Sequence, residues 1–94
     1  MGRIRRRVRV RGRVQGVGFR YWARGEAEQV GISGWIRNRS DGTVEAELEG
    51  PVAAVEGMID ALHRGPGGAV VDAVQASERD AEGASTFRVL PDVE

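Results

Sequence analysis

A chain of 94 residues has room for one hydrophobic core and buries roughly 60 to 65 per cent of its unfolded surface, so a single domain over 1–94 is expected. The absence of cysteine excludes a disulfide framework, a thiolate nucleophile and a cysteine metal site, and with them the cysteine-dependent phosphatases. The formal net charge is zero, yet residues 1–40 carry eleven arginines against two acidic residues and residues 41–94 carry three against twelve.

The chain opens on Met1-Gly2-Arg3-Ile4-Arg5-Arg6-Arg7, basic but without the apolar stretch of a secretory signal. No later run is long enough to cross a bilayer, so a soluble, cytoplasmic protein is expected. A first strand over about 4–14 places Arg5, Arg7, Arg9, Arg11 and Arg13 on one face and Ile4, Val8, Val10 and Val14 on the other, the period-two pattern of a half-buried strand. A helix over about 20–30 follows, with Ala23, Ala27 and Val30 on one stripe and Gly31 as its stop. Gly25 inside it costs about 1 kcal/mol relative to alanine.

Strands near 33–39 and 43–49 flank a two-residue Asp41-Gly42 hairpin turn. Gly50-Pro51 opens a second helix with proline in the tolerated first turn. Its apolar stripe is Val55, Met58, Ile59 and Leu62, and Gly65-Pro66-Gly67-Gly68 ends it. From Ala69 to Ala76 the apolar phase slips, which a bulge near Asp72-Ala73 reconciles. Glu78 to Ser85 reads as a mobile surface loop and Thr86 to Leu90 as a last short strand. Two helices and an antiparallel sheet in the order β-α-β-β-α-β-β make an α+β sandwich of the split β-α-β, ferredoxin-like type.

Between Gly12 and Arg20 the chain reads GRVQGVGFR. Gly16 and Gly18 can take positive φ without steric cost, so successive N–H groups can turn inward as a concave nest for an oxyanion. A helix beginning near Arg20 adds its free N-terminal N–H groups and the positive end of its dipole. The second motif is Gly34-Trp35-Ile36-Arg37-Asn38-Arg39-Ser40-Asp41-Gly42-Thr43-Val44-Glu45. Together, in this order and spacing, the two motifs resemble the acylphosphatases, and the resemblance runs from the first strand to Thr86-Phe87-Arg88-Val89. The family's usual Gly-Trp-Val stands here as Gly34-Trp35-Ile36, a conservative change in bulk.

The resemblance implies hydrolysis of the carboxyl-phosphate bond of small acyl phosphates, with no cofactor. It implies a phosphate site made by the backbone of Gln15, Gly16, Val17, Gly18, Phe19 and Arg20 with the Arg20 guanidinium, and an Asn38 side chain that orients water. It also implies the strand order 4-1-3-2, with the short C-terminal strand in addition. No cluster of Asp, Glu and His has metal-ligand spacing, so no metal is expected. His63 reads as an exposed helix residue, and Phe19 and Trp35 as packing residues, with contact to the acyl part of a substrate as the alternative; Tyr21 and Trp22 are open between packing and exposure on the first helix.

The order 4-1-3-2 makes the first and third strands neighbours. The arginine row of one then faces Glu45, Glu47 and Glu49 of the other as solvated cross-strand pairs, each contributing a few tenths of a kcal/mol. That arrangement, and the absence of the aromatic pair used for base stacking in the common RNA-binding sheet motif, weigh against a nucleic-acid partner. A monomer with a small-molecule substrate and no membrane partner is expected. An acylphosphatase-like part of a larger carbamoyl-phosphate-using maturation enzyme is the other enzymatic reading, and the free-standing length weighs against it.

Overall fold

Alternation of arginine with valine, and of glutamate with small apolar residues, lays down the two long central strands. In the computed structural model, which describes residues 2–92, these are β1 (Arg3–Arg13) and β3 (Val44–Pro51). The other elements are α1 (Phe19–Gln29), β2 (Ser33–Asn38), α2 (Val52–Arg64), β4 (Val70–Arg79) and β5 (Phe87–Val89). The strands form one sheet in the order β4-β1-β3-β2-β5. Val8 and Val10 from β1, Ile36 from β2 and Ala46 and Leu48 from β3 meet Phe19, Ala23 and Ala27 of α1 and Val55, Met58 and Leu62 of α2 in one core. A fully buried valine, leucine or isoleucine contributes about 1.5 to 3 kcal/mol.

Both helices lie on one face, α1 over β2 and β5 and α2 over β1 and β4. The stripe of α1 is Phe19, Ala23 and Ala27 rather than one running to Val30, because the helix starts at Phe19 and Val30 falls past its end, half exposed. Pro51 closes β3 and serves as the N-cap of α2, with ψ 147°, so the helix proper begins at Val52. In β4 the register passes from Arg11↔Ala73 to Gly12↔Val71. Asp72 is left unopposed, and this bulge absorbs the slip in apolar phase.

The sheet and its connections differ from the expectations of the sequence in several features. The sheet is mixed, not antiparallel throughout, because β5 runs parallel to β2. β4 is antiparallel to β1, and the segment after it crosses to the opposite edge of the sheet. The chain therefore enters the last position from the end at which β2 begins. Thr86 and Ile36 carbonyls accept from the Gly34 and Leu90 N–H groups at 2.9 Å and fix that edge.

The β2–β3 connection turns through three residues, Ser40, Asp41 and Gly42, enclosed by a bond between Arg39 and Thr43. Arg39 N–H donates to the Thr43 carbonyl and Gly42 N–H to the Arg39 carbonyl, and only Gly42 has positive φ, 89°. A two-residue type I′ turn needs both central residues at positive φ, which Asp41 does not adopt; a type I turn closed by a left-handed glycine needs only one. The Asp41 carboxylate accepts from the Thr43 N–H and hydroxyl, which holds it below the ordinary carboxylate range.

Glu78 and Arg79 are strand residues, paired with Arg6 and Arg5. The loop beyond them is tied down, because Glu82 and Gly83 N–H groups both donate to the Glu49 carboxylate at 2.9 Å.

The expected cross-strand partners are present as Arg5↔Glu49, Arg7↔Glu47 and Arg9↔Glu45. They are not a solvated row, however. Glu45, Glu47, Glu49 and Arg5 are buried, covered by guanidinium groups from β1 and β2 and, at the Glu49 end, by the crossing loop. Glu49 is held at about 2. Burial pushes this carboxyl up, but the Glu82 N–H, the Arg5 guanidinium and the Gly83 N–H together outweigh it.

Candidate active site

β1 ends at Arg13, and Val14 buries its side chain before the chain turns. Gly16 (φ 74°) and Gly18 (φ 76°) both stand in the left-handed region, which costs an L side chain about 1 kcal/mol or more and glycine almost nothing. Gly18 is the N-cap of α1, and its carbonyl accepts from Trp22 N–H at 3.0 Å. Phe19 inserts into the core and meets Trp22 edge-on, with ring centroids 5.4 Å apart, so the junction of loop and helix is anchored from below. Among the described residues, none of the N–H groups from Gln15 to Arg20 donates to another group of the protein. The loop thus offers a row of free donors at a helix N-terminus, the arrangement that takes up an oxyanion.

β1 and β2 are both antiparallel to β3, so they leave the sheet at the same end. Val44 of β3 is opposite Val10 on one side and Asn38 on the other. Asn38 is buried, and its Oδ1 has no hydrogen-bond partner among the described residues. An unsatisfied buried acceptor costs about 1 to 3 kcal/mol, so it is retained against a penalty. The link between loop and strand end is the Gln15 side chain, whose Nε2 donates to the carbonyls of Arg39 at 2.8 Å and Thr43 at 2.9 Å. It fastens the turn after β1 to the hairpin one residue beyond Asn38.

Arg20 lies in the first turn of α1, partly exposed. Its Nη1 donates to Asp92 Oδ1 at 3.1 Å, and its guanidinium lies 5.7 Å from the Tyr21 ring centroid. Residues 15–20 and Asn38 therefore gather at one end of the molecule. Arg20 and Asn38 do not bond each other; each has a free or exchangeable group for a third party.

The side-chain role of Gln15 and the carboxylate of Asp92 were missed from sequence. Nothing in local spacing marks a contact between Gln15 and residues 24 and 28 positions later, and Asp92 sits in a tail with no pattern. Trp35 lies away from this site, on the opposite face of the sheet under Arg37. Tyr21 is exposed and Trp22 half-buried. His63 is exposed and, among the described residues, bonds only the Ile59 carbonyl of its own helix. Among the described residues, no three His, Cys, Asp or Glu side chains converge to hold a metal ion, and no helix is long and apolar enough to cross a membrane.

The family model described as Acylphosphatase matches residues 6–89. The chain belongs to the acylphosphatase family. It is 53% identical over 75 residues to the acylphosphatase of Nitrobacter hamburgensis, covering 80% of this chain and 76% of that protein. With the acylphosphatase of Thermococcus kodakarensis it shares 46% identity over 90 residues, or 96% and 99% of the two chains. The crystal structure of acylphosphatase from Bacillus subtilis superposes with a TM-score of 0.90 at 39% identity, covering 93% of this chain and 98% of that one. Membership makes the chain a hydrolase of acid anhydrides, acting on acyl phosphates, and its fold is the ferredoxin-like fold of the family.

Proposed function

We propose that this acylphosphatase hydrolyses small acyl phosphates, of the acetyl, carbamoyl and glyceroyl kind, by direct attack of water on a phosphoryl group held in the loop 15–20. The observation that carries this reading is the row of free N–H groups from Gln15 to Arg20, fastened by Gln15 beside a buried Asn38 with an unpartnered oxygen. The phosphoryl oxygens take the backbone donors and the planar fork of Arg20, which makes two parallel charge-assisted bonds worth about 1.5 to 3 kcal/mol each. Asn38 Oδ1 accepts from a water and holds it in line with the bond to be broken.

The water oxygen bonds to phosphorus as the bond from phosphorus to the acyl oxygen breaks, and the electron pair leaves on the carboxylate. A carboxylate is stable without a proton, so no general acid is needed, and the water's proton passes to the departing phosphate and solvent. The transition state is loose, with charge over the equatorial oxygens, and positioning with charge stabilisation suffices. No step calls for a metal ion, so turnover should be unchanged by a chelator.

Benzoyl phosphate hydrolysis tests the assignment. Arg20→Ala should lose about a thousandfold or more in turnover with an unchanged melting temperature, and Arg20→Lys should recover little because a point charge does not reproduce the fork. Asn38→Ala should lose about a hundredfold in kcat with a smaller change in phosphate affinity. Normal turnover by either alanine variant would refute the role of the residue replaced.

A further inference from the structure

The sheet face turned away from the helices takes no part in the reaction above, and its charges are layered by depth. Glu45, Glu47 and Glu49 are at most 4% exposed, whereas the side chains of Arg7, Arg9, Arg37 and Arg39 remain 27 to 38% exposed. All four of these arginines surround the single Glu45 carboxylate, at 2.9 Å from Arg37, 3.3 Å from Arg9 and Arg39, and 3.7 Å from Arg7. Arg7 also serves Glu47, but the cluster as a whole holds more positive charge than the carboxylates beneath it neutralise. Nε of Arg9 and of Arg39 have no partner among the described residues.

The surroundings do not cancel this excess. Gln75 and Ser77 of β4 stand opposite Arg9 and Arg7, and these four with Ala76 line a shallow depression of about 300 Å³. Exposed Arg79 and Arg88 extend the charge towards the two edges. The rim carboxylates Asp41 and Glu82 are exposed and lie 3.9 Å from Arg9 and 3.6 Å from Arg5. Half-buried Trp35 completes the face, with the Arg37 and Arg7 guanidinium groups 4.8 and 6.0 Å from its ring centroid.

We propose that this face binds single-stranded RNA through its phosphodiester backbone. The sequence weighed against such a partner because glutamates stood in the same solvated layer as the arginines and because the aromatic pair used for base stacking is absent; the structure puts the glutamates underneath, and a contact with the backbone needs no such pair. Arg7 and Arg9 on β1, and Arg37 on β2 with Arg39 just past its end, are each two residues apart, a repeat of about 6.7 Å along an extended strand that suits successive phosphates. The Trp35 ring lies under the Arg37 guanidinium and steadies that cation, so recognition is of the phosphates and not of stacked bases. The contact is led by charge, so it is tolerant of base sequence and steeply salt-dependent.

The test is fluorescence anisotropy of a labelled oligouridylate of about 12 nucleotides, within the usual reach of one small domain. Binding is expected at about 50 mM salt and should be largely lost by about 200 mM. Gln75→Glu combined with Ser77→Glu adds negative charge to the depression without breaking any ion pair and should weaken binding about fivefold or more. Benzoyl phosphate turnover and melting temperature should be unchanged in that variant, because neither residue touches the loop 15–20. At constant ionic strength, phosphate enough to saturate the loop 15–20 should leave RNA binding intact. No binding at low salt, an unchanged affinity in the double variant, displacement by phosphate, or equal affinity for poly-glutamate in competition would each overturn the proposal.

Discussion

One strand, β3, buries both of its faces by different means. Val44, Ala46 and Leu48 go under the helices into an apolar core, while Glu45, Glu47 and Glu49 go equally deep under guanidinium groups. The apolar face is held by area removed from water, a contribution that does not depend on charge state. The ionic face is held by matched pairs that offset the cost of desolvating them, so its worth depends on every partner being present and ionised. Depth of burial alone therefore says little about how a face will respond to mutation or acid.

The largest expected effect comes from taking away one partner. Arg5 bonds Glu47 and Glu49, and Arg5→Met leaves two buried carboxylates short of a cation. A loss of about 3 to 5 kcal/mol is expected in urea denaturation. Leu48→Ala on the other face should cost about 2 to 5 kcal/mol, so magnitude will not separate the two. Rescue will: Arg5→Met combined with Glu47→Leu and Glu49→Leu should regain much of the loss, whereas no change of charge repairs the cavity left by Leu48.

Acid separates the faces next. Glu49 is held at about 2 against an ordinary 4.5, so its contribution is fully present above about pH 4.5 and is lost as pH falls towards 2. Glu45 and Glu47 are shifted the same way by their arginine partners despite the opposing effect of burial. The melting temperature should hold between pH 7 and about 5 and then drop. Glu49→Gln should start lower and drop less, and an identical acid profile in that variant would contradict the assignment.

The smallest effect is expected at Asp92, whose ion pair with Arg20 is exposed. Asp92→Asn should leave the melting temperature nearly unchanged. By releasing the guanidinium it should tighten inhibition by inorganic phosphate by about fivefold at most.

Strand identity was legible because side-chain alternation is a local signal, whereas the order of the strands came from the resemblance to the family. Arg7 and Val8 assign the faces of β1, and the phase slip around Asp72 located the bulge. Depth was not legible. The period of two says which way Glu49 points but not that the N–H groups of Glu82 and Gly83 will close over it, since that depends on where a loop more than thirty residues away crosses the sheet. The same holds for β5, whose direction follows from the end at which the chain re-enters. In the proposed site, the glycines point to the loop 15–20, and the resemblance points to Asn38. The Gln15 side chain spans to a hairpin formed later in the chain, and no local pattern encodes such a reach.

Glu49 joins three parts of the chain at one carboxylate: β1 through Arg5, β3 through its own backbone, and the segment between β4 and β5 through Glu82 and Gly83. The final strand is thus moored to the first, although the two do not pair. Amide exchange at Gly34 and Leu90, which secure that outer edge, should proceed at rates set by cooperative opening of the central strands, not by independent fraying.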